Sequence, residues 1–301
     1  MRRAVRLLAP AALALALGAP TPPRAETLTP DRINGIGLID FGLPPRFKVG
    51  DYARYHMSAQ SAMGVVDDYN LTVMIAGEEE WWGERCFWIE TRTQSAAGGD
   101  QSIASLMSYD VFADSLALPH MQLYVRKIVN GMKEDGSVDQ VVYKRPASTL
   151  KMRDPLGSQF KLQVDTLGAE TITVAKGVFP CTKLHFLQGR GATGARGDST
   201  DYTELREERT TFMSPQVPIT HIVREDIVQQ ITRKAWKVGH SKDATPTVTL
   251  DRTVGSAELV ESGSGMASRL LPESMRKSIA ERAAEAARKA PAPRPAKRKA
   301  G

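Results

Sequence analysis

The chain has 301 residues, of which 42% are apolar and 25% charged, so it is long enough for one large domain with its own core. Residues 1–25 contain four arginines and no acidic residue, a net charge of +4, and residues 269–301 contain ten basic and three acidic residues, a net charge of +7. Because the whole chain has a net charge of +6, residues 26–268 carry −5. Because the basic character belongs to the two ends, it does not indicate specific nucleic-acid binding by the body of the chain.

The first 25 residues have the layout of a secretory signal peptide. Three arginines, Arg2, Arg3 and Arg6, precede an uncharged apolar run over residues 7–17, which is too short to span a bilayer as a stable helix. An uncleaved membrane anchor is the alternative, and the short apolar run disfavours it. The region contains no cysteine, which excludes lipid attachment there. The pattern predicts an exported protein, periplasmic or secreted.

Residues 71–93 predict the central feature of the fold, a hairpin of two strands joined by a charged turn. Leu71, Val73 and Ile75 alternate with Thr72, Met74 and Ala76, which is the period of two of a pleated strand. The second strand, from residue 85, also has apolar groups on both faces. We therefore expect the hairpin to be covered on both sides or to wrap round something.

The remaining elements are short and mostly extended. An earlier strand is predicted over 52–59, a short helix over 101–108 from the spacing of Ile103, Leu106 and Met107, and a glycine-rich loop over 188–200. Further strands are predicted over 121–129, 138–143, 160–164, 170–175, 178–187, 202–213, 219–231 and, weakly, 247–250. Pro180 indicates an edge position or a bulge.

About nine or ten strand candidates with little helix between them predict a mainly β fold class with one antiparallel sheet. The predicted organisation is a signal peptide (1–25), an irregular lead-in (26–46), one β domain (47–239), a linker with a weak strand (240–270), an alanine-rich helix (271–290) and a basic disordered tail (291–301).

Motifs for catalysis, metal or cofactors are weak. Residues 189–194 match G-x-G-x-x-G, but no helix is expected to open at the last glycine, so a hairpin loop is favoured over a phosphate cradle. The five histidines lack the spacing of zinc ligands, and no serine lies in G-x-S-x-G. We therefore expect no enzyme activity, no catalytic residue, no metal and no cofactor.

Cys86 and Cys181 are the two cysteines of the chain, and an oxidising compartment favours a disulfide between them over two buried free thiols. Trp81 and Trp82 are adjacent at the expected hairpin tip, so one indole is predicted to stay partly exposed at a rim; folding back onto neighbouring loops is the alternative. Phe87 and Trp88 follow as further ligand or rim contacts.

Four strings in chain order carry a family resemblance. They are Val49-Gly50-Asp51-x-x-x-Tyr55; Gly77-Glu78-Glu79 followed by Gly83-Glu84-Arg85-Cys86-x-Trp88-x-Glu90; Thr173-Val174-x-x-Gly177-x-Phe179-x-Cys181-x-Lys183; and Val217-Pro218-Ile219-x-x-Ile222-Val223. Over residues 47–235 the chain resembles secreted bacterial proteins of unknown function that are similar to the periplasmic lipoprotein-carrier (LolA/LolB-like) superfamily. The resemblance implies a strongly curved sheet or incomplete barrel round an apolar cavity covered by short helices.

Two functional hypotheses follow. The first is a non-enzymatic periplasmic protein that binds a lipid-like or acylated ligand in the concave apolar face of the sheet. The second is a cell-envelope interaction or structural protein without a cavity, whose contacts are the exposed aromatics and the basic tail on an anionic envelope surface. A plain solubilising role for that tail is the alternative to envelope binding.

Overall fold

The computed structural model describes residues 47–62, 64, 66–95, 100–113, 124–132, 138–143, 161–196, 199–237 and 245–289. The predicted signal peptide, lead-in and basic tail lie outside these residues. The described chain forms one antiparallel sheet of eleven strands. The strands are β1 (Tyr52–Ser61), β2 (Val66–Trp81), β3 (Glu84–Ser95), β4 (Asp100–Ser108), β5 (Val125–Met132), β6 (Val138–Val142), β7 (Lys161–Val174), β8 (Gly177–Arg196), β9 (Ser199–Met213), β10 (Ile222–Lys237) and β11 (Thr247–Gly263).

The sheet is open and strongly curved. Its order is β6-β5-β4-β3-β2-β1-β11-β10-β9-β8-β7, so β6 and β7 are its two edges. In a flat sheet β7 and β11 would lie about 19 Å apart, yet Cα atoms of β7 lie within 8 Å of both β10 and β11. The mainly β, antiparallel fold class predicted from the sequence is confirmed.

The hairpin of β2 and β3 separates two apolar clusters. One set of side chains faces the larger cluster, and we call this side the Tyr55 face; it includes Tyr55, Val73, Phe87, Ile89 and Met107. The opposite Trp88 face includes Met74, Ala76, Trp88, Leu106 and Val129. All ten side chains are at most 2% exposed. The expectation that this hairpin is covered on both sides is therefore confirmed.

Residues 101–108 are a strand, not the predicted helix. Ile103 and Met107 point to the Tyr55 face, whereas Ala104 and Leu106 point to the Trp88 face, because β4 pairs with β3 along residues 100–108. A strand that is buried on both faces carries apolar residues without alternation, and such a run can show helical spacing by chance.

The second half of the sheet has longer strands than predicted. The expected loop over 188–200 is mostly strand, because β8 pairs with β9 as far as Arg196 and Ser199. Pro180 pairs with Thr171 of β7 but lies outside the β9 ladder, which starts at Thr182. Its side facing β9 is therefore an edge, as predicted.

Residues 219–221 form a loop rather than the start of β10. Ile219 (φ 70) and His221 (φ 58) have left-handed backbone conformations, which interrupt a strand. The loop over 214–221 packs on the Tyr55 face, where Val217 and Ile219 are buried. The Tyr55 hydroxyl contacts the Thr220 hydroxyl and donates to the Ile222 carbonyl at 2.9 Å.

The segment expected as a linker with a weak strand at 247–250 contains the 17-residue strand β11. This strand lies between β1 and β10 and so joins the two halves of the sheet. Residues 264–289, which we call the C-terminal strap, follow it. The strap ends in helix α1 (Ile279–Lys289), which starts later than predicted because Ser278 and Glu281 form a reciprocal capping box at 3.1 and 2.7 Å.

Candidate functional site

Trp81 is the last residue of β2, and Trp82 is the first residue of the two-residue turn between β2 and β3. Trp82 (φ 55) and Gly83 (φ 78) both have positive φ, which matches the twist of a tight hairpin. Lys127 Nζ lies 3.5 Å from the ring centroid of Trp81, and the Arg126 guanidinium lies 5.5 Å from that of Trp82. Both indoles are half-buried, and their faces contact cations of the protein itself.

Phe87 and Trp88 are not rim residues, because both are 0% exposed. The Phe87 ring packs on the Tyr55 face, 5.1 Å from Phe47 and 5.0 Å from Tyr109 between centroids. The Trp88 indole lies on the other face and donates from Nε1 to Glu79 at 3.1 Å. Consecutive residues of a strand point to opposite faces, and here both faces are covered.

The predicted disulfide is not formed, since Cys86 and Cys181 are both buried free thiols. Cys86 packs in the cluster of the Trp88 face, whereas Cys181 packs in the cluster of the Tyr55 face. The two thiols therefore pack against different sets of residues. Burial raises the pKa of Cys86 to about 12 and also raises that of Cys181, so both thiols stay protonated and poorly reactive at neutral pH.

The C-terminal strap covers the Trp88 face beside these residues. Leu270 and Leu271 are 8% and 0% exposed and complete the cluster that contains Trp88. The strap passes so close to β2 that a Cβ atom on Gly77 would lie 2.0 Å from the Met275 carbonyl oxygen. Only a glycine allows this approach without movement of the backbone.

Buried polar groups hold the strap in register. The Glu90 carboxylate is 0% exposed, forms an ion pair with Arg92 Nε at 2.6 Å and accepts a hydrogen bond from the Ser268 hydroxyl. Arg92 Nη2 in turn donates to the Ala267 carbonyl at 2.8 Å. Because each of these groups would be costly to bury alone, they hold the strap at one position on the sheet.

Glu78 fixes the end of the strap where α1 begins. Its carboxylate accepts from the Tyr109 hydroxyl at 2.8 Å, from Arg85 at 2.7 Å and from the Ile279 amide at 3.2 Å. Burial by itself raises the pKa of Glu78, but these three hydrogen bonds outweigh it and the pKa is lowered. The carboxylate is therefore ionised when it binds the helix start.

A second acidic side chain, Glu225, is buried on the Tyr55 face at 2% exposure. It accepts from the Thr211 hydroxyl at 2.8 Å and lies 3.7 Å from Arg209, which also pairs with Glu207 at 3.1 Å. Burial raises the pKa of Glu225. This group belongs to the packed interior.

An open groove of about 470 Å³ lies across β1, β9, β10 and β11. In each strand, every second side chain lines the groove. Tyr52 and Gln60 are an even number of residues apart in β1 and so lie on the same face, and Tyr52 packs against the cluster that contains Trp88. The groove is therefore on the Trp88 side of the sheet. Cross-strand pairing arranges the lining side chains in two rows. One row holds Ser58, Ser256, Asp226 and Thr210; the other holds Gln60, Val254, Val228 and Glu208.

The groove therefore has a narrow apolar floor with a polar border. Val254 is 45% exposed and Val228 is half-buried beside it. Hydroxyl, carboxamide and carboxylate groups surround the two valines. Volumes of about 300–1,000 Å³ and a few placed polar groups are typical of small-molecule sites. No local motif in the sequence marks this groove, because its residues come from four strands.

The glycine-rich motif and His185 both lie within the sheet. Residues 189–194 pair with β9 and do not open a helix. His185 lies 3.1 Å from Glu208, and no group of three or more potential metal ligands occurs among the described residues. No helix in the described ranges is long and apolar enough to cross a membrane.

Comparisons with known proteins add little. No protein family and no curated protein matches the chain. Among solved structures, a candidate lipoprotein of Parabacteroides distasonis is 11% identical with a TM-score of 0.31, over 75% of this chain and 99% of that one. A candidate exported protein with a YmcC-like fold from Bacteroides fragilis is 14% identical with a TM-score of 0.26, over 74% and 99%. Likenesses at these low scores support no argument about fold or function.

Proposed function

We propose that this is an exported, non-enzymatic protein that binds a lipid-like or acylated ligand in the groove across β1, β9, β10 and β11. The observation that carries the proposal is the groove itself, with a volume of about 470 Å³. Its valine floor suits the apolar part of an amphipathic molecule, and its hydroxyl and carboxamide groups suit a polar part.

The groove lies on the Trp88 side of the sheet, whereas the larger apolar cluster of the sheet lies on the Tyr55 face. At the described part of that face Phe47, Tyr109 and Phe112 pack round Phe87, with their ring centroids 5.0–5.7 Å from its own. The 214–221 loop covers a neighbouring region with buried side chains. A ligand in this part of the face would have to displace packed protein atoms, which is costly.

The test is binding of dodecyl maltoside, kept below its micelle concentration, by isothermal titration calorimetry. Val254→Glu places a charge on the apolar floor and should weaken binding by about tenfold or more. Val178→Glu is the matched control, because Val178 is also an exposed strand valine, at 63%, but lies outside the groove. Native mass spectrometry of the extracted protein would detect a co-purified natural ligand.

The proposal fails if the unmodified protein does not bind the alkyl probe. It also fails if Val254→Glu and Val178→Glu bind the probe as the unmodified protein does. Equal weakening by both variants would point to general surface adsorption and would contradict a defined groove.

The envelope-interaction hypothesis is not proposed as a second function. Its aromatic contacts, Trp81 and Trp82, lie against Lys127 and Arg126, and its basic tail lies outside the described residues.

A further inference from the structure

The row of side chains next to the groove is basic. On the face of the groove, the register places Arg252 opposite Gln230 and Gln230 opposite Arg206. This row is two residues beyond Val254 and Val228 along their strands, a distance of about 7 Å. The two arginines are on strands separated by β10, so their Cα atoms are about 10 Å apart.

Both carboxylates of the groove have hydrogen-bond partners among neighbouring side chains. Glu208 lies 3.1 Å from His185 Nε2, and Asp226 accepts from Arg224 at 3.0 Å. Arg206 and Arg252, by contrast, are exposed and form no ion pair with another described residue. The row next to the groove therefore presents two arginine charges, and the next charged side chain on this face of β9 is Glu204, one row further along the strand.

We propose that the ligand of the groove carries an anionic head group, a phosphate or a carboxylate, which Arg206 and Arg252 bind from two sides. The inference rests on the proposed function, because it places the apolar part of the same ligand on Val254 and Val228. Guanidinium groups form paired, charge-assisted hydrogen bonds to both kinds of anion. Gln230, between the two arginines, adds a carboxamide donor on the same row.

The experiment compares dodecyl phosphate with dodecyl maltoside, both below their micelle concentrations, and with inorganic phosphate alone. The variants are Arg206→Gln, Arg252→Gln and the double variant. Arg233→Gln is the control, because Arg233 is an exposed arginine of β10 whose position in the register puts it on the opposite face. Circular dichroism and urea unfolding check that every variant is folded.

Each single variant should weaken dodecyl phosphate binding by roughly tenfold, the lower end expected for a charged hydrogen bond at an exposed site. Binding of dodecyl maltoside should stay within about twofold, and Arg233→Gln should bind both probes normally. Inorganic phosphate should bind far more weakly than dodecyl phosphate, since it gains nothing from the valine floor.

The remaining outcomes separate the two proposals. If both alkyl probes bind equally and the arginine variants change neither, the groove stands and the anionic head group is wrong. If inorganic phosphate binds as tightly as dodecyl phosphate, the site is a free-anion site and the lipid-like ligand is wrong. If no alkyl probe binds, the proposed function and this inference both fail.

Discussion

Replacement of Gly77 by alanine tests whether the C-terminal strap is part of the folded core. The new Cβ atom would lie 2.0 Å from the Met275 carbonyl oxygen, so that peptide must move by about 1.4 Å to reach an ordinary contact of 3.4 Å. The Glu78 amide bonds the Lys277 carbonyl at 3.3 Å, and the Glu78 carboxylate accepts from the Ile279 amide at 3.2 Å. Both hydrogen bonds lie next to the displaced peptide and should weaken.

The expected loss of stability follows from opposing contributions. Overpacking of a close contact costs about 1–3 kcal/mol, and two weakened hydrogen bonds cost about 1 kcal/mol each. Alanine also restricts the unfolded chain, which returns about 0.4–1 kcal/mol. We therefore expect Gly77→Ala to lower the free energy of unfolding by about 2–4.5 kcal/mol.

Urea unfolding followed by tryptophan fluorescence measures this change by linear extrapolation. Gly131→Ala is the matched control, because Gly131 also lies in a strand but a Cβ there would meet nothing within 4 Å. We expect this control to stay within about 0.5 kcal/mol of the unmodified protein. If Gly77→Ala is as stable as Gly131→Ala, the strap does not pack on β2 in solution and the reasoning is refuted.

Two further predictions concern a buried acid and the basic tail. Burial raises the pKa of Glu225 above its ordinary 4.5, so the stability supplied by its protonated form is complete at low pH and is lost as pH rises through the folded-state pKa. Glu225→Gln should therefore gain stability relative to the unmodified protein as the pH is raised above 4.5 in urea unfolding, and a difference independent of pH would contradict this. Deletion of residues 290–301 should leave the free energy of unfolding unchanged, whereas deletion of 269–301 should lower it by more than about 4 kcal/mol because buried Leu270 and Leu271 are lost. Equal effects of the two deletions on the free energy of unfolding would show that the strap is dispensable. Loss of anionic-vesicle binding after deletion of residues 290–301 would support the envelope hypothesis.

Local patterns were sufficient for the fold class and for the β2–β3 hairpin. Strict alternation marked Leu71 to Ala76 as a strand, and apolar groups on both faces indicated that it is covered twice. The same property misled the interpretation of residues 101–108, since Ile103, Leu106 and Met107 fit a helical spacing as well as a strand that is buried on both faces. Local periodicity does not distinguish these two cases.

Residues predicted for the site were mostly assigned to the wrong environment. The spacing of Cys86 and Cys181 says nothing about which apolar cluster each thiol joins, and compartment alone favoured a bridge. Phe87 and Trp88 were expected as ligand or rim contacts because the sequence does not reveal that the strap covers Trp88 on one face and that Phe47 and Tyr109 cover Phe87 on the other. The groove residues Ser58, Val228 and Val254 are far apart in the chain and carry no shared motif.

By itself, the amino-acid sequence determines the extended conformation of most segments, because period-two alternation is a local property of the chain. It also predicts the hairpin turn and the helix near the C terminus. Only the tertiary structure decides the order of the strands, with β11 inserted between β1 and β10, and the covering of Gly77 by the strap. It alone also places Val254, Val228, Arg252 and Arg206 on one face, because register between distant strands depends on packing across the whole sheet.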